Sequence, residues 1–149
     1  AGSNARVHVN DPVVTAAGLV GRVTRVSRRS SRVTLLTDET SAVSALDLKT
    51  NAAGIVRHGV AGGEALVLER VRKEDVVEAG DVVITAGWRS GRLASAYPRG
   101  IPIGIVKGVG QLDTDIYKRI EVDPFVDFSS LDSVLVLVEK PVVAARSRR

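Results

Sequence analysis

Short valine-rich segments, each closed by a turn residue, constrain the fold of this chain more than any other feature. Glycine, proline, asparagine or aspartate interrupts the chain about every 8 to 12 residues, which is typical of a sandwich or a barrel. The chain has 26 valines and 7 isoleucines against 12 leucines, and β-branched side chains favour the half-buried surface of a sheet. An all-β protein is therefore predicted. The predicted strands are 12–15, 19–27, 32–37, 42–46, 53–57, 65–71, 81–86, 102–109, 117–122 and 134–139.

Turn residues between these segments predict two hairpins and a helical turn. Arg28-Arg29-Ser30-Ser31 joins two strands, and the glycine-rich segment 59–63 supplies a second hairpin tip. In 127–132, Asp127 or Ser129 can cap a short helical turn. One or two such turns are the only helical structure predicted.

An internal repeat divides the chain. Three segments in the first half resemble three in the second: 11–18 and 80–87, 18–26 and 101–109, and 31–35 and 118–122. Each half then has the order strand, glycine turn, long strand with an internal glycine, hairpin and strand. A glycine inside a strand commonly marks the bend or bulge that a small barrel needs to close. Two small six-stranded-type barrels in tandem are predicted, and chance similarity among valine- and glycine-rich strands is the alternative.

Composition excludes several kinds of site. Cysteine is absent, so disulfides, thiolate metal sites and cysteine nucleophiles are excluded, while the redox compartment stays open. No apolar run approaches the roughly 20 residues of a membrane-spanning helix, and residues 1–6 lack the apolar core of a signal peptide. The two histidines, His8 and His58, have no recognisable metal-ligand spacing. No metal and no cofactor are predicted.

The net charge of +4 is unevenly distributed. A tail at 141–149, predicted to be basic and disordered, carries three arginines, and an early segment carries five: Arg22, Arg25, Arg28, Arg29 and Arg32. A basic nucleic-acid-binding barrel is therefore one alternative function. Such barrels stack bases on aromatic rings, which this segment lacks, so nucleic acid is not predicted as a partner. The charge fits a solvated hairpin, or a face turned to acidic partners or anionic lipid headgroups.

A chymotrypsin-like protease is the other alternative, because such proteases also consist of two barrels. Their triad needs a serine activated by a histidine that a carboxylate orients. No serine lies in the Gly-Asp-Ser-Gly context of that class, and Ser90, in Trp88-Arg89-Ser90-Gly91, is a poor substitute. No catalytic residue is predicted, and the chain is interpreted as a non-enzyme.

Five motifs recur in a definite order along the chain. They are NDPVV at 10–14, GLVGRV at 18–23, SRVTLLTD at 31–38, GDVVITAG at 80–87 and YPRGIPIG at 97–104. In order and spacing they resemble the extracytoplasmic β domain of the rod shape-determining family MreC. The resemblance covers about residues 1–140, and the combination of motifs is specific although no single one is.

The resemblance implies a scaffold that determines cell shape. Members of the family have a short cytoplasmic tail, one membrane-spanning helix and a coiled coil before two small barrels outside the membrane. It implies a single-pass protein of the cell membrane, with this domain on the extracytoplasmic (periplasmic or cell-wall) side of an N-terminal anchor missing from this sequence. The implied partners are a second copy, in a homodimer or filament, penicillin-binding protein 2, and other elongation proteins such as MreD, MreB and RodA. Through them the barrels would position peptidoglycan synthases.

The resemblance and the repeat together predict the domain boundaries. Residues 1–41 would form an N-terminally truncated first barrel, which 126–140 can complete, and 42–125 would form the second barrel. The segment between Gly87 and Pro98 departs from the family, which usually has a short glycine-rich link there.

Aromatic and arginine side chains are enriched at interface hot spots. We therefore predict protein contacts for six residues: Trp88, Arg92, Leu93, Tyr97, Arg28 and Arg29. For Trp88 the alternative is that it covers the core of its own barrel.

Overall fold

A computed structural model of the chain describes residues 7–59, 65–87, 97–110, 117–131 and 133–137. Strands make up nearly all of its regular structure, which confirms the all-β prediction. The strands are β1 (Pro12–Val14), β2 (Leu19–Val26), β3 (Ser31–Leu35), β4 (Ala42–Asp47), β5 (Ala53–His58), β6 (Leu66–Arg72), β7 (Val82–Thr85), β8 (Pro102–Gly110), β9 (Tyr117–Pro124) and β10 (Leu135–Val136). Each of the ten predicted segments overlaps one of these strands, with bounds that differ by at most three residues.

Six of the strands form a closed barrel in the order β4-β5-β6-β9-β8-β7. All neighbours are antiparallel, and β4 closes the barrel by pairing with β7, where Leu46 lies opposite Ile84. Closure leaves no free strand edge in the barrel. The predicted six-stranded barrel is confirmed for this part of the chain.

Strand β6 shows how the barrel interior is filled. Leu66 and Leu68 are fully buried, and Val71 is fully buried as well although it lies three positions after Leu68. A bulge between Leu68 and Val71 accommodates the extra residue, and Arg70 within it is exposed and has a φ of 64°. The bulge therefore returns the strand to inward alternation after a bend that helps the sheet curve into a barrel.

The other four strands form an antiparallel sheet in the order β10-β1-β2-β3. Strand β10 joins from the far end of the chain: Val136 lies opposite Val13, and the amide of Leu137 donates to the carbonyl of Pro12 at 2.8 Å. In the described residues this first unit is a four-stranded sheet, so only one of the two predicted barrels is seen closed. Its buried face is formed by Val7, Val13, Val20, Val23 and Val126.

The predicted helical turn is present as a 3-10 turn at Phe128–Ser130. Asp127 caps it, because its Oδ1 accepts from the Ser129 amide at 3.0 Å and its Oδ2 from the Ser130 hydroxyl at 2.8 Å. The Phe128 ring packs against the barrel core and also against the sheet core. The turn therefore lies at the junction of the two units.

The barrel core continues into the sheet. Leu19 of β2 and Leu36, which follows β3, are fully buried in the same cluster as the barrel side chains. The backbones also approach closely, because a Cβ on Gly18 would lie 2.6 Å from the carbonyl oxygen of Pro102 in β8. The sheet and the barrel are thus packed directly against each other.

The internal repeat is visible in the hydrogen bonds of two turns. Before β1, the amide of Val23 donates to the carbonyl of Asp11 at 2.9 Å. Before β7, the amide of Val106 donates to the carbonyl of Asp81 at 2.8 Å. Asp11 therefore corresponds to Asp81, which shifts the predicted match of 11–18 with 80–87 by one residue. The predicted match aligns the terminal glycines of the two segments, whereas the hydrogen bonds show which backbone positions are equivalent.

The repeat also begins earlier than the motifs suggest. Asn10 and Gly80 occupy the same position in their turns and have φ values of 81° and 95°. Apart from glycine, asparagine is among the few residue types that adopt this region readily. In both turns the following aspartate carboxylate accepts from the amide three residues before it, at 2.7 and 3.0 Å. Val7 and Val77, which precede the two turns, are both buried.

The last pair of repeated strands differs from the predicted alignment by two residues. Val23 of β2 lies opposite Val33 of β3, and the equivalent Val106 of β8 lies opposite Val122 of β9. Val33 therefore corresponds to Val122, whereas the match of 31–35 with 118–122 placed it on Ile120. The hairpin between β2 and β3 and the connection between β8 and β9 differ in length. Similar composition alone therefore could not show which residues of β3 and β9 are equivalent.

Candidate interaction surfaces

A strongly charged surface is formed by the hairpin of β2 and β3, named here the arginine hairpin for Arg22, Arg25, Arg28, Arg29 and Arg32. The amide of Ser27 donates to the carbonyl of Ser30 at 2.8 Å, and the hydroxyls of the two serines lie 2.9 Å apart. These bonds hold Arg28 and Arg29 at the exposed tip. The structure therefore places both predicted contact residues in a loop that solvent or a partner can reach.

The base of the arginine hairpin brings two cations together. Arg25 and Arg32 are both exposed and lie directly opposite each other across β2 and β3. The preceding pair in the ladder, Val23 and Val33, packs on the core side, so the arginines occupy the outer face. Farther along that face, Arg22 donates to the Asn10 side chain at 2.8 Å.

Tyr97 lies in the interior. Its exposed fraction is 3%, and its ring belongs to the barrel core cluster. Burial raises the pKa of its phenol to about 12. Nearby, the Thr85 hydroxyl donates to the carbonyl of Pro98 at 2.6 Å and accepts from the amide of Ile101 at 2.9 Å. A partner contact through Tyr97 remains a prediction.

The contact predictions for Trp88, Arg92 and Leu93 fall on the segment 88–96, which lies outside the described residues. The same applies to Ser90 and to the predicted tail at 141–149. The three contact residues and the tail stay predictions from the sequence, and no role is predicted for Ser90.

The sheet has two outer strands, β3 and β10. In the part of the chain that the structure describes, each pairs with a single neighbour. Beside and within β10, Val134, Leu135 and Leu137 are exposed, Leu135 to 66%. Unpaired backbone groups next to exposed apolar side chains are typical of an edge that can accept another strand.

The two histidines lie in different units. The His8 side chain is exposed before β1, with its Nδ1 4.0 Å from the Asp11 carboxylate. His58 ends β5, and its buried Nδ1 has no hydrogen-bond partner. Neither imidazole bonds to a serine in the described residues. Nor do three or more histidine, aspartate or glutamate side chains gather there in a way that could hold a metal ion.

A buried acidic pair at the barrel seam was not predicted from the sequence. Asp47 at the end of β4 is fully buried, and its Oδ1 accepts from the amides of Lys49 and Thr50 at 2.8 and 3.2 Å. Its Oδ2 has no hydrogen-bond donor, so it can bond to the neighbouring Asp81 only through a shared proton. Lys49 Nζ lies 3.4 Å from Asp81 and 3.2 Å from Glu78. A lone aspartate in the apolar segment 42–48 is the signal that could have indicated this site.

The surroundings shift the pKa values of these two carboxyl groups in opposite directions. Burial is the main cause that raises the pKa of Asp47, and the neighbouring Asp81 raises it further. The hydrogen bond with Asp47, the amide of Glu78 and the Lys49 ammonium lower the pKa of Asp81. Of the two carboxyl groups, Asp47 is therefore the one that takes up a proton more readily, and Asp81 is the one whose charge faces Lys49.

We expect Asp47→Asn to stabilise the fold at neutral pH by about 1 kcal/mol. Because the pKa of Asp47 is raised in the folded state, its carboxyl group contributes to the free energy of unfolding below the ordinary pKa of 3.8. That contribution is lost as the pH rises through the pKa of the folded state. Asparagine keeps the Oδ1 acceptor and is always neutral, so the gain should vanish at acid pH. Urea unfolding from pH 3 to 8 measures the difference. A variant less stable than the parent at pH 7 would contradict the raised pKa of Asp47.

The described residues contain no helix long and apolar enough to cross a membrane.

Comparison with known protein families decides what this fold belongs to. Residues 1–138 match the family "Rod shape-determining protein MreC, barrel core". The chain belongs to the MreC family. The match includes all ten strands and the turns that carry the repeat, so the resemblance predicted from the five motifs is confirmed.

Relatives and solved structures agree with the MreC assignment. The cell shape-determining protein MreC of Caulobacter vibrioides is 38% identical over 141 residues, which cover 94% of this chain and 37% of that protein. The chain thus spans little more than a third of that relative's length. The crystal structure of MreC from Pseudomonas aeruginosa superposes with a TM-score of 0.81 at 26% identity, over 92% of this chain and 84% of that one.

A third comparison is with a complex of penicillin-binding protein 2 and MreC from Helicobacter pylori. It has a TM-score of 0.63 at 18% identity and covers 78% of this chain and 68% of that one. At this identity the likeness shows the shared MreC fold only.

Proposed function

We propose that this chain is the extracytoplasmic scaffold domain of a cell shape-determining protein of the MreC family. The observation that carries the proposal is the family match over residues 1–138 together with the closed barrel and its attached sheet. Relatives in the family are named for determining cell shape. The domain would act outside the cytoplasm, held at the membrane by an N-terminal anchor beyond this sequence.

The proposed mechanism is positional and not catalytic. Copies held on one membrane have a high effective concentration, so modest contacts suffice to build an assembly. Such an assembly would position peptidoglycan synthases, with penicillin-binding protein 2 as the first partner and MreD, MreB and RodA as other members. The complex formed by the Helicobacter pylori relative supports the choice of this first partner.

For self-association we propose the β10 edge, because its apolar side chains are exposed. Sedimentation equilibrium should show concentration-dependent association. A lysine in place of Leu135 introduces a charge that opposes edge pairing, so Leu135→Lys should weaken association by about tenfold, or roughly 1.4 kcal/mol. Leu48→Lys is the matched control, since Leu48 is exposed in the turn between β4 and β5. Equal effects of the two variants would assign association to another surface.

Binding to the ectodomain of penicillin-binding protein 2 from the same organism tests the scaffold itself. Interferometry with the immobilised ectodomain should give saturable binding. A chain that stays monomeric at the highest attainable concentration and does not bind the ectodomain would overturn the proposal. Cleavage of a peptide library by the pure chain would instead support the protease alternative.

A further inference from the structure

The arginine hairpin is distinguished by its composition, because residues 19–35 contain five arginines and no aspartate or glutamate. In the barrel, four cations lie within ion-pair distance of acidic side chains: Lys49, Arg57, Arg72 and Lys107. In the described part of the chain, Arg25, Arg29 and Arg32 have no such partner. Among the described residues, Arg70, Arg99 and Arg119 of the barrel also lack one, but only the hairpin combines five arginines with no acidic residue, so positive charge is concentrated there.

The arrangement of this charge is unfavourable for the isolated fold. Arg25 and Arg32 are directly opposed across β2 and β3, and side chains in that relation start about 5 Å apart at their Cβ atoms. Like charges in this position destabilise a sheet. An anion bound between the guanidinium groups would remove the repulsion, because each planar guanidinium can donate two hydrogen bonds to phosphate oxygens.

The geometry of the hairpin indicates the form of the anion. The tip, with Arg28 and Arg29, is three residues beyond the Arg25–Arg32 pair, a span of about 10 Å along a strand. One phosphate group has too few oxygens for all of these guanidinium groups, whereas a surface that carries many phosphates can contact every one of them. The tip is also exposed, and it carries no aromatic ring on which a nucleic-acid base could stack.

We propose that the arginine hairpin docks on the phosphate headgroups of an anionic phospholipid bilayer. The outer-face arginines and the tip would contact neighbouring headgroups simultaneously, and binding would weaken as salt screens the charges. The contact would orient the sheet toward the bilayer and the barrel away from it. Binding of the arginine hairpin to the bilayer does not depend on self-association or on penicillin-binding protein 2.

Vesicle sedimentation with the full chain tests the proposal. Binding to vesicles of phosphatidylcholine with phosphatidylglycerol should be strong at low salt, and binding to phosphatidylcholine alone should be absent. Arg28→Ser with Arg29→Ser should weaken partitioning by about thirty-fold, as expected for two basic side chains near an anionic surface. Arg99→Gln with Arg119→Gln removes the same charge from exposed sites of the barrel and should leave partitioning nearly unchanged.

A second variant separates binding from folding. Arg25→Gln with Arg32→Gln should also weaken partitioning, while its melting temperature stays the same or rises because the opposed charges are gone. Equal losses in the hairpin and barrel variants would overturn the proposal, since net charge alone would then govern binding. Inorganic phosphate at matched ionic strength, polyglutamate and single-stranded DNA serve as competitors. Tighter binding to any of them than to the anionic vesicles, compared at equal total negative charge, would assign the hairpin to that anion and reject the bilayer.

Discussion

Gly104→Ala is expected to destabilise the protein by about 3 kcal/mol, or by about 10 °C in melting temperature. A Cβ at this position in β8 would lie 2.3 Å from the carbonyl oxygen of Asp123 and 2.9 Å from the Cα of Pro124. Both atoms belong to the backbone of β9, which is itself held on its other side by β6. A strand inside a closed barrel cannot move away, so the clash must distort the ladder. Urea unfolding followed by circular dichroism measures the loss.

Gly108→Ala in the same strand is the matched control for this prediction. No atom lies within 4 Å of a Cβ built there, and alanine restricts the unfolded chain, so the variant should be neutral or slightly more stable. In the repeat, Gly21 occupies the position of Gly104, with a Cβ 2.0 Å from the carbonyl oxygen of Thr34. Gly21→Ala should therefore also destabilise the fold. A Gly104→Ala protein as stable as Gly108→Ala would contradict the close approach of β8 and β9.

Leu19→Ala is expected to cost about 3 kcal/mol, the usual loss for a fully buried leucine. The backbone of Leu19 is part of β2 in the four-stranded sheet, whereas its side chain packs in the core of the barrel. Its truncation should consequently lower the stability of both units together, and unfolding should remain a single transition. Differential scanning calorimetry, with the calorimetric enthalpy compared with the van't Hoff enthalpy, is the measurement.

The control for Leu19 is Val76→Ala, since Val76 is exposed in the segment between β6 and β7. Its melting temperature should change little. If Leu19→Ala instead produced an early transition for the sheet while the barrel melted as in the parent chain, the two units would be energetically independent. Leu36→Ala offers a second test of the same core and should behave like Leu19→Ala.

The candidate surfaces were predictable in part. Arg28 and Arg29 lie at an exposed tip because a serine-flanked arginine pair between two valine-rich strands has no apolar side chain to bury. Tyr97 illustrates the limit, because aromatic rings occur in interfaces and in cores alike. Only the position of the chain after β7 shows that this ring packs in the barrel core. The opposed Arg25 and Arg32 could not be found either, since the bulge between Val23 and Arg25 sets their register.

Local patterns along the chain were enough to predict the approximate positions of the ten strands, the turns between them and the family resemblance. These properties depend on neighbouring residues: β-branched side chains define strands, glycine and asparagine permit turns, and the motifs are contiguous. Tertiary structure decided which strands pair, that β6 meets β9, that β10 returns to β1, and that Asp47 meets Asp81. Such contacts join residues far apart in the chain, and their free energy comes from packing and loop closure, which local alternation does not encode.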